Sequence, residues 1–540
     1  MTTKEIANIL ELTARLMELH AENPFKIKAL QNAAFKLSKT RMDLAGKSDE
    51  EIESIEGIGK GITSKIHEIL LTGTTDELEQ LREKTPEGII EMLEVKGIGP
   101  KKVKQLWNEL GIESIIELLY ACNENRLIDL KGFGEKTQEG IKQNIEFSLK
   151  NSAFFHYAAI ESSANNLINF LRTNNAGTKF EFSGDFRRKC EIIDKIIIVC
   201  NSEKIAKQEE AVKCCPLPVE FVFCSEENFT NVLFETTGSV NFLRKIGYTN
   251  STYTRHKNET EIFDSLCLQY FEPELREENE YVLTAAKENR IPELITLSDI
   301  KGVLHSHSSY SDGLNTLSEM ARYCQQKGYE YLGICDHSQS AYYASGLKPD
   351  EVIKQQKEID QLNKALAPFK ILKGIESDIL NNGNLDYDDD LLQTFDFVVA
   401  SVHSNLKMNE EKATQRIIKA IENPFTSILG HPTGRLLLAR KGYPLNHKKI
   451  IDACAANQVV IELNSHPYRL DIDWRWIPYC IEKGVMISIN PDAHQKEGIH
   501  DIQYGIHAAR KGMLSKNNCL NALSLSEIEN YFLIRKVRKN

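Results

Sequence analysis

The sequence predicts a multidomain α/β protein with a helical N-terminal region, a mixed α+β middle region and a C-terminal region of alternating strands and helices. The 540 residues are too many for one hydrophobic core and suggest three or four domains. A Gly-hydrophobe-Gly pattern recurs three times in the N-terminal region. Seven short apolar segments recur after residue 291, and polar residues follow each of them.

The composition is that of a globular protein, with 41% apolar and 26% charged residues, and no apolar run approaches the roughly 20 residues of a membrane span. The segment Met1 to Leu10 lacks the basic stretch and apolar core of a secretory signal. The twelve cysteines include an adjacent pair, Cys214 and Cys215, but no Cys-x-x-Cys, which argues against a zinc ribbon and a disulfide framework. We therefore expect a monomeric cytoplasmic protein that does not bind membranes.

Apolar residues at helical spacing predict helices over residues 4–40, and three glycine-rich turns follow them. Each turn precedes a predicted helix, where glycine would let a phosphate approach the free backbone N–H groups. The alternative is a tight interhelical turn, but the repetition resembles helix-hairpin-helix motifs. Because the net charge is −11, DNA binding has to be local, through backbone contacts without base specificity. The candidate residues are Gly57, Gly59, Gly61, Gly97, Gly99, Lys101, Lys102, Gly132 and Gly134.

Residues 151–290 predict a mixed α+β region, with strands at Ile192 to Cys200 and Val219 to Cys224. The run Ser183-Gly184-Asp185-Phe186-Arg187-Arg188 and the later Thr237-Gly238-Ser239 resemble the palm of family X DNA polymerases. The resemblance implies an 8-kDa-like DNA-binding domain over residues 1–80, a fingers-like region over 81–150 and a nucleotidyltransferase-like palm and thumb over 151–290.

The palm departs from the family pattern where the metal ligands are expected. Lys195 and Ile197 occupy the positions of the family's Asp-x-Asp, and Glu220 stands where the family has a third Asp. Two-metal nucleotidyl transfer needs closely spaced carboxylates, whereas a lysine repels a cation and an isoleucine cannot bind one. Asp194 comes one residue early and points to the other face of the strand unless a bulge corrects it. We therefore predict a palm without Mg²⁺ and without polymerase activity.

Lys65 aligns with the Schiff-base lysine that some members of the family use for lyase activity. The alternative role is that of a solvated helix lysine, which is the commoner one.

In residues 291–540, imidazole and carboxylate side chains follow the predicted strands. The carboxyl ends of the strands of a parallel barrel share one face, so ligands distant in sequence would converge there. A His-x-His alone could equally be a surface pair, but nine placed ligands favour a site for zinc, manganese or iron. The candidate ligands are His305, His307, Asp312, His337, Glu376, His403, His431, Asp492 and His494, whereas His447, His466, His500 and His507 lack this placement.

The order of these ligands resembles that of the polymerase and histidinol phosphatase (PHP) domain. The phrases Ser401-Val402-His403-Ser404 and Gly430-His431-Pro432-Thr433-Gly434-Arg435 are similar to the version fused to bacterial family X polymerases. The resemblance implies a distorted (β/α)7 barrel with three divalent ions, Mn²⁺, Zn²⁺ or Fe²⁺. It gives His305, His307, Glu376 and Asp492 catalytic roles through the metals. Arg435 and Arg469 are candidates to clamp a phosphate, or else they form structural ion pairs.

The ligand set predicts a metal-dependent phosphodiesterase. The resemblance implies that this enzyme is a 3′–5′ exonuclease in DNA repair that acts on gapped, nicked or single-stranded ends and also cleaves abasic sites during base-excision repair. One alternative is an active gap-filling polymerase with a PHP proofreading domain, which Lys195 and Ile197 oppose. A second is a phosphatase for small phosphorylated metabolites, which the three glycine turns oppose. A third is a non-enzymatic scaffold for DNA ends, which would leave nine metal ligands idle.

Overall fold

The computed structural model describes residues 1–39, 44–128, 130–149, 153–213, 215–249 and 255–539. The chain forms two compact units, Met1–Asn123 with Leu127–Leu149, and Glu124–Arg126 with Lys150–Asn540. Cys214 lies outside the described residues, and each described cysteine is a free thiol. None of the described helices combines the length and the apolar character needed to cross a bilayer. The finer division at residues 80, 150 and 290 stays a prediction.

The first unit is helical, as its sequence predicts. In α1, Ile6, Leu10, Ala14 and Met17 recur at helical spacing and are buried. A capping box between Thr2 and Glu5 begins this helix. The helices of the unit are α1 (Thr3–Leu19), α2 (Pro24–Lys39), α3 (Asp49–Glu53), α4 (Lys60–Thr72), α5 (Asp76–Glu83), α6 (Glu87–Leu93), α7 (Pro100–Leu110), α8 (Ile115–Asn123) and α9 (Glu135–Leu149).

The second unit begins with a mixed α+β region. Its strands are β1 (Phe155–His156), β2 (Phe180–Ser183), β3 (Ile192–Ile193), β4 (Ile196–Cys200) and β5 (Val219–Phe223). Its helices are α10 (Tyr157–Asn174), α11 (Gly184–Arg187), α12 (Gln208–Val212), α13 (Phe229–Thr237), α14 (Val240–Lys245), α15 (Glu259–Ser265) and α16 (Glu280–Lys287).

The strand predicted over Ile192 to Cys200 is two strands in the structure. β3 pairs with β1, whereas β4 lies between β2 and β5, antiparallel to β2 and parallel to β5. Asp194 and Lys195 separate the two strands, and both are exposed. The prediction of one strand was wrong because an apolar run does not show where a chain leaves one sheet for another.

The rest of the second unit alternates strands and helices. The strands are β6 (Gly302–Val303), β7 (Tyr331–Ile334), β8 (Lys370–Lys373), β9 (Glu376–Asp378), β10 (Val398–Ser401), β11 (Thr426–Leu429), β12 (Val460–Asn464) and β13 (Ile487–Asn490). The helices are α17 (Leu317–Gln326), α18 (Pro349–Leu366), α19 (Asp389–Leu392), α20 (Glu410–Glu422), α21 (His447–Asn457), α22 (Ile477–Glu482), α23 (Ile502–Lys511) and α24 (Leu525–Lys539).

These strands form a parallel barrel with seven strand positions. One sheet has the order β6-β7-β8 and the other the order β13-β12-β11-β10-β9. Gly374 and Ile375 separate β8 from β9, which together fill one position, and a bridge from His337 to Glu376 joins β7 to β9. A parallel bridge between Ser306 and Ala493 closes the ring. The predicted (β/α)7 architecture is confirmed, and it directs the carboxyl ends of the strands to one face.

Candidate metal centre and its relatives

The nine predicted ligands converge at the carboxyl ends of the barrel strands. Asp312 lies in the loop between β6 and α17, and this loop folds back closely on His307. A Cβ atom on Gly313 would lie 2.8 Å from the His307 carbonyl, so the loop needs glycine there. The other eight residues follow β6, begin β9, or follow β7, β10, β11 and β13.

The side chains form three overlapping groups that could hold metal ions. In each group, one ligand atom per residue lies within 4.8 Å of the others. His307 and His337 each belong to two groups, so the groups are contiguous. His431 adds to the third group, because its Nε2 lies 3.0 Å from Oε1 of Glu376. The groups are His307, Asp312, His337 and His494; His305, His307 and Asp492; and His337, Glu376 and His403.

Two carboxylates that the sequence analysis missed orient these histidines from behind. Oε2 of Glu462, on β12, lies 2.7 Å from Nδ1 of His305. Oδ1 of Asp378, on β9, lies 2.5 Å from Nδ1 of His403. Both contacts leave Nε2 of the imidazole for the centre, which is how metal-binding histidines are commonly held. For Glu462, the sequence did contain a signal, because it is a charged residue inside an otherwise apolar strand, Val459-Val460-Ile461-Glu462-Leu463.

The centre contains polar atoms that are buried and make no hydrogen bond within the described part of the chain, although several lie within 4 Å of an opposite charge. Leaving such atoms unsatisfied is costly, so their concentration at one place fits a site that binds cations. The nitrogen and carboxylate donors are those that Zn²⁺ and Mn²⁺ accept. The atoms are His305 Nε2, His307 Nδ1, Asp312 Oδ2, His337 Nδ1, Glu376 Oε2, His431 Nδ1 and His494 Nε2.

The carboxylates give the centre a strong negative potential. Burial opposes the charged form of His305, but Glu462, Asp492 and Glu376 together raise its pKa well above the ordinary value. Burial and the neighbouring imidazoles of His494 and His337 instead lower the pKa of His307 to about 3. The same field that stabilises a protonated imidazole would stabilise a bound cation, and His307 is neutral and available as a ligand.

The two candidate phosphate clamps have different surroundings. The Arg469 guanidinium is buried beside the centre, with Nε 4.0 Å from Oδ2 of Asp492 and Nη2 3.9 Å from Oε1 of Glu124, which groups with the same unit. Arg435 instead pairs with Asp473 at 2.6 Å and donates from Nε to the Arg469 carbonyl at 3.0 Å. Arg469 therefore lies beside the metal-binding groups, whereas Arg435 is held by Asp473 and by a backbone carbonyl.

The four histidines set aside in the sequence analysis lie outside the three groups. His447 stacks on Trp476, and His500 bonds to the hydroxyl of Tyr323. His466 accepts a hydrogen bond from the Tyr468 backbone, and His507 packs edge-on against Tyr157.

In the middle region, an ion pair occupies the place where carboxylates were expected. Nζ of Lys195 lies 2.8 Å from Oε2 of Glu220, while Ile197 is paired in register with Glu220 on one side and Ser183 on the other. A Cβ atom on Gly184 would lie 2.9 Å from the side chain of Ile197, so the isoleucine side chain fills the space beside Gly184. Among the described residues, the groups able to hold a metal all lie in the barrel.

The three glycine turns share one geometry. Gly57, Gly97 and Gly132 have φ values of 91°, 98° and 87°, a region that favours glycine. Gly59 caps α4 and Gly99 caps α7. Gly134 directly precedes α9, and a Cβ atom on Gly59, Gly61, Gly99 or Gly134 would meet nothing within 4 Å. The helix N-termini are therefore open to a phosphate.

Three lysines of this unit have distinct environments. Lys101 is exposed at the start of α7, and Lys102 lies over the ring of Phe133 at 5.1 Å. Lys65 is largely buried, and its Nζ lies 2.7 Å from Oε2 of Glu77.

Comparison with known proteins accounts for this architecture. Residues 1–75 match a helix-hairpin-helix domain, residues 89–145 a SAM-like helix-hairpin-helix tandem, and residues 304–466 a PHP domain. The DNA polymerase/3′-5′ exonuclease PolX of Bacillus subtilis (strain 168) is 35% identical over 98% of this chain and 99% of its own length. The chain belongs to the PolX family of DNA polymerases. The resemblance to family X polymerases with a PHP domain is thereby confirmed.

Other relatives match the barrel of this PolX family member. A probable phosphatase of Thermoanaerobacter sp. (strain X514) is 26% identical over 43% of this chain and 94% of its own length. A probable phosphatase of Acetivibrio thermocellus is 27% identical over 35% of this chain and 78% of its own length. Membership of PolX and the PHP match show a DNA-binding protein with a metal-dependent hydrolase domain.

Proposed function

We propose that the chain is a metal-dependent phosphodiesterase that shortens DNA from its 3′ end in the barrel, and that its palm no longer polymerises. The observation that carries the proposal is the concentration of the three metal-binding groups in the barrel. The Bacillus subtilis relative is named for both a polymerase and a 3′-5′ exonuclease, and this name supports an exonuclease activity for the barrel.

The nine predicted ligands fit a trinuclear site for divalent ions. When bound, Mn²⁺ or Zn²⁺ would supply an activated water and neutralise the charge of the phosphate. Glu462 and Asp378 hold His305 and His403 with Nε2 toward the centre. Asn464 donates to Oδ2 of Asp492 at 3.0 Å and fixes that carboxylate.

Arg469 is suited to hold a substrate phosphate at this site. A guanidinium can donate two hydrogen bonds to the oxygens of one phosphate. The Arg469 guanidinium lies about 4 Å from the carboxylates of Glu124 and Asp492, which places it at the edge of the metal centre. Arg435 keeps Arg469 in position through its bond to the Arg469 carbonyl.

The arrangement of the middle region supports loss of polymerisation. The Lys195 ammonium lies against Glu220, the one carboxylate left of the expected three, and Ile197 stands between Glu220 and Ser183. A cation at Glu220 would have to displace the lysine and would find no second carboxylate at residue 195 or 197.

The helix-hairpin-helix turns provide the contact with DNA in this proposal. Their open N-termini suit the phosphates of gapped, nicked or single-stranded ends without base reading. An abasic strand is a further substrate of the same hydrolytic centre. The ion pair between the largely buried Lys65 and Glu77 supports a structural role for that lysine, which is neither the solvated position nor the lyase role considered from the sequence.

The proposal is tested by digesting a 5′-labelled single-stranded oligonucleotide with Mn²⁺. Digestion from the 3′ end gives a ladder of shortened labelled products, whereas immediate release of a labelled mononucleotide would contradict the polarity. The His305→Ala and Glu376→Ala variants should lose about 100-fold or more of the rate. His500→Ala, outside the metal groups, is the matched control.

A second candidate is a phosphatase for small phosphorylated metabolites, favoured by the similarity of the barrel to probable phosphatases. The same purified protein distinguishes the two. Release of phosphate from monoesters, with an intact oligonucleotide strand, would support this candidate instead.

A further inference from the structure

The loop that follows β11 leads from the metal centre into a cleft of about 810 Å³ in the same unit. His431 belongs to the centre, and Thr433, two residues later, already lines the cleft. A second link runs through Arg435, which also lines the cleft. Arg435 donates a hydrogen bond to the carbonyl of Arg469, and the Arg469 guanidinium lies beside Asp492 of the centre. The cleft and the centre are therefore adjacent, both along the chain from His431 to Thr433 and through the contacts of Arg435 with Arg469 and of Arg469 with Asp492.

The lining of the cleft is positively charged in a protein whose net charge is −11. Arg435, Arg440, Lys441 and Arg475 line it, against two carboxylates, Glu410 and Asp473. Asp473 is already engaged by Arg435 at 2.6 Å and by Arg475 at 3.1 Å. The local excess of positive charge on an acidic protein favours an anionic ligand.

The cleft also contains a pair of parallel aromatic rings. His447 and Trp476 stack with their centroids 4.7 Å apart and an angle of 4° between their planes. Both residues line the cleft and are partly exposed. Burial lowers the pKa of His447, so the imidazole is neutral near pH 7 and the pair is an uncharged stacking surface.

Cationic side chains beside an aromatic stack are the combination that binds single-stranded nucleic acid, since the cations contact phosphates and the rings stack on bases of any sequence. We propose that this cleft binds the single-stranded segment of DNA that adjoins the scissile phosphate. The inference rests on the proposed phosphodiesterase function. The volume of the cleft suits one or two nucleotides and falls within the range of about 300–1,000 Å³ that is usual for ligand sites.

The first test compares a long and a minimal substrate. Trp476→Ala should lower kcat/KM for a single-stranded 20-mer roughly tenfold, since stacking on one base is worth about that factor. Lys441→Glu should also lower it and reduce its dependence on salt. Hydrolysis of bis(4-nitrophenyl) phosphate, which does not extend beyond the centre, should stay within about twofold. Lys357→Glu on α18 is the matched charge reversal outside the cleft.

Equal losses on both substrates, or no loss on either, would overturn the proposal. The exposed Lys441 keeps the test valid if the Trp476 variant does not fold. A second measurement separates this inference from the proposed function: a 5-bromodeoxyuridine oligonucleotide is cross-linked by light to the wild-type protein in EDTA. A cross-link in the peptide that contains Trp476 supports the cleft even if the protein digests no DNA, and its absence overturns the cleft even if digestion is found.

Discussion

Glu462 and His305 are 157 positions apart in the chain, yet the carboxylate of the first lies 2.7 Å from Nδ1 of the second, with both side chains fully buried. The same carboxylate accepts hydrogen bonds from the backbone of His431 at 3.1 Å and from Nδ2 of Asn490 at 2.9 Å. Glu462, which is not one of the nine candidate ligands, thus contacts residues at the ends of three strands, β6, β11 and β13, around the metal centre.

The Glu462→Gln variant should bind Mn²⁺ about 10- to 100-fold more weakly, because the amide no longer fixes the imidazole of His305 as a carboxylate does. Calorimetric titration of the metal-free protein measures this affinity. Glu422→Gln, an exposed position at the end of α20, is the control and should bind as the wild type does. Equal affinities in all three proteins would contradict the assigned role of Glu462.

Removing divalent metals should lower the melting temperature of the chain. The buried carboxylates and imidazoles then lose the cations that balance them, and a ligand at 100 times its Kd stabilises the folded state by about 2.7 kcal/mol. Calorimetric scans with EDTA, and again after addition of Mn²⁺, measure the loss and its recovery. The His305→Ala variant should show a smaller recovery, and a melting temperature indifferent to metal would count against the site.

The wild-type protein should incorporate no deoxynucleotide into a gapped duplex with either Mg²⁺ or Mn²⁺, because Lys195 and Ile197 supply no carboxylate. Primer extension with a labelled primer measures this, and the Bacillus subtilis PolX is the positive control. Template-dependent extension above the level of a reaction without protein would show that the palm is active.

Glu259 should make the free energy of unfolding of the middle region depend on pH in the acidic range. Burial alone would raise its pKa, but bidentate pairs with Arg276 and Arg187 lower it from 4.5 to about 2. The resulting stability is present above pH 4.5 and is lost as the pH falls toward 2, an effect of at most about 3 kcal/mol. Urea unfolding between pH 7 and 2.5 should show this slope, and Glu259→Gln should flatten it and lower the stability at pH 7.

The exposed pair of Glu226 with Lys179 provides the control for that measurement, since solvent screens it. Glu226→Gln should unfold as the wild type does at every pH. An identical pH slope in the Glu259→Gln protein would remove Glu259 as the cause.

Gly99→Val should weaken DNA binding without unfolding the helical unit. Gly99 has a φ of −107° and open space around it, so the side chain fits but obstructs the approach of a phosphate to the helix N-terminus. Fluorescence anisotropy with a labelled gapped duplex should show a loss of several-fold. Gly140→Ala, in the middle of α9 with equally open surroundings, should leave affinity unchanged. Equal affinities in all proteins would mean that this turn only connects helices.

The sequence was informative wherever function depends on residue type at a strand end. The convergence of the nine candidate ligands could be predicted because eight of them follow or begin a short apolar strand, and parallel strands bring their ends together, while Asp312 lies in the loop after the first strand. The role of Glu462 could not be predicted and two roles stayed open for Arg435, since both depend on the direction of side chains across the barrel and along a loop. The break at Asp194 was missed because apolar residues continue on both sides of it.

The pair of Lys195 with Glu220 has a consequence for the proposed loss of polymerisation. A lone Lys195→Asp substitution would set two carboxylates side by side, and Ile197 would still fill the space beside Gly184. This single change would replace an ion pair by like-charge repulsion without completing the three carboxylates of the family pattern. On the proposed function, a metal site in the palm would therefore need substitutions at both positions.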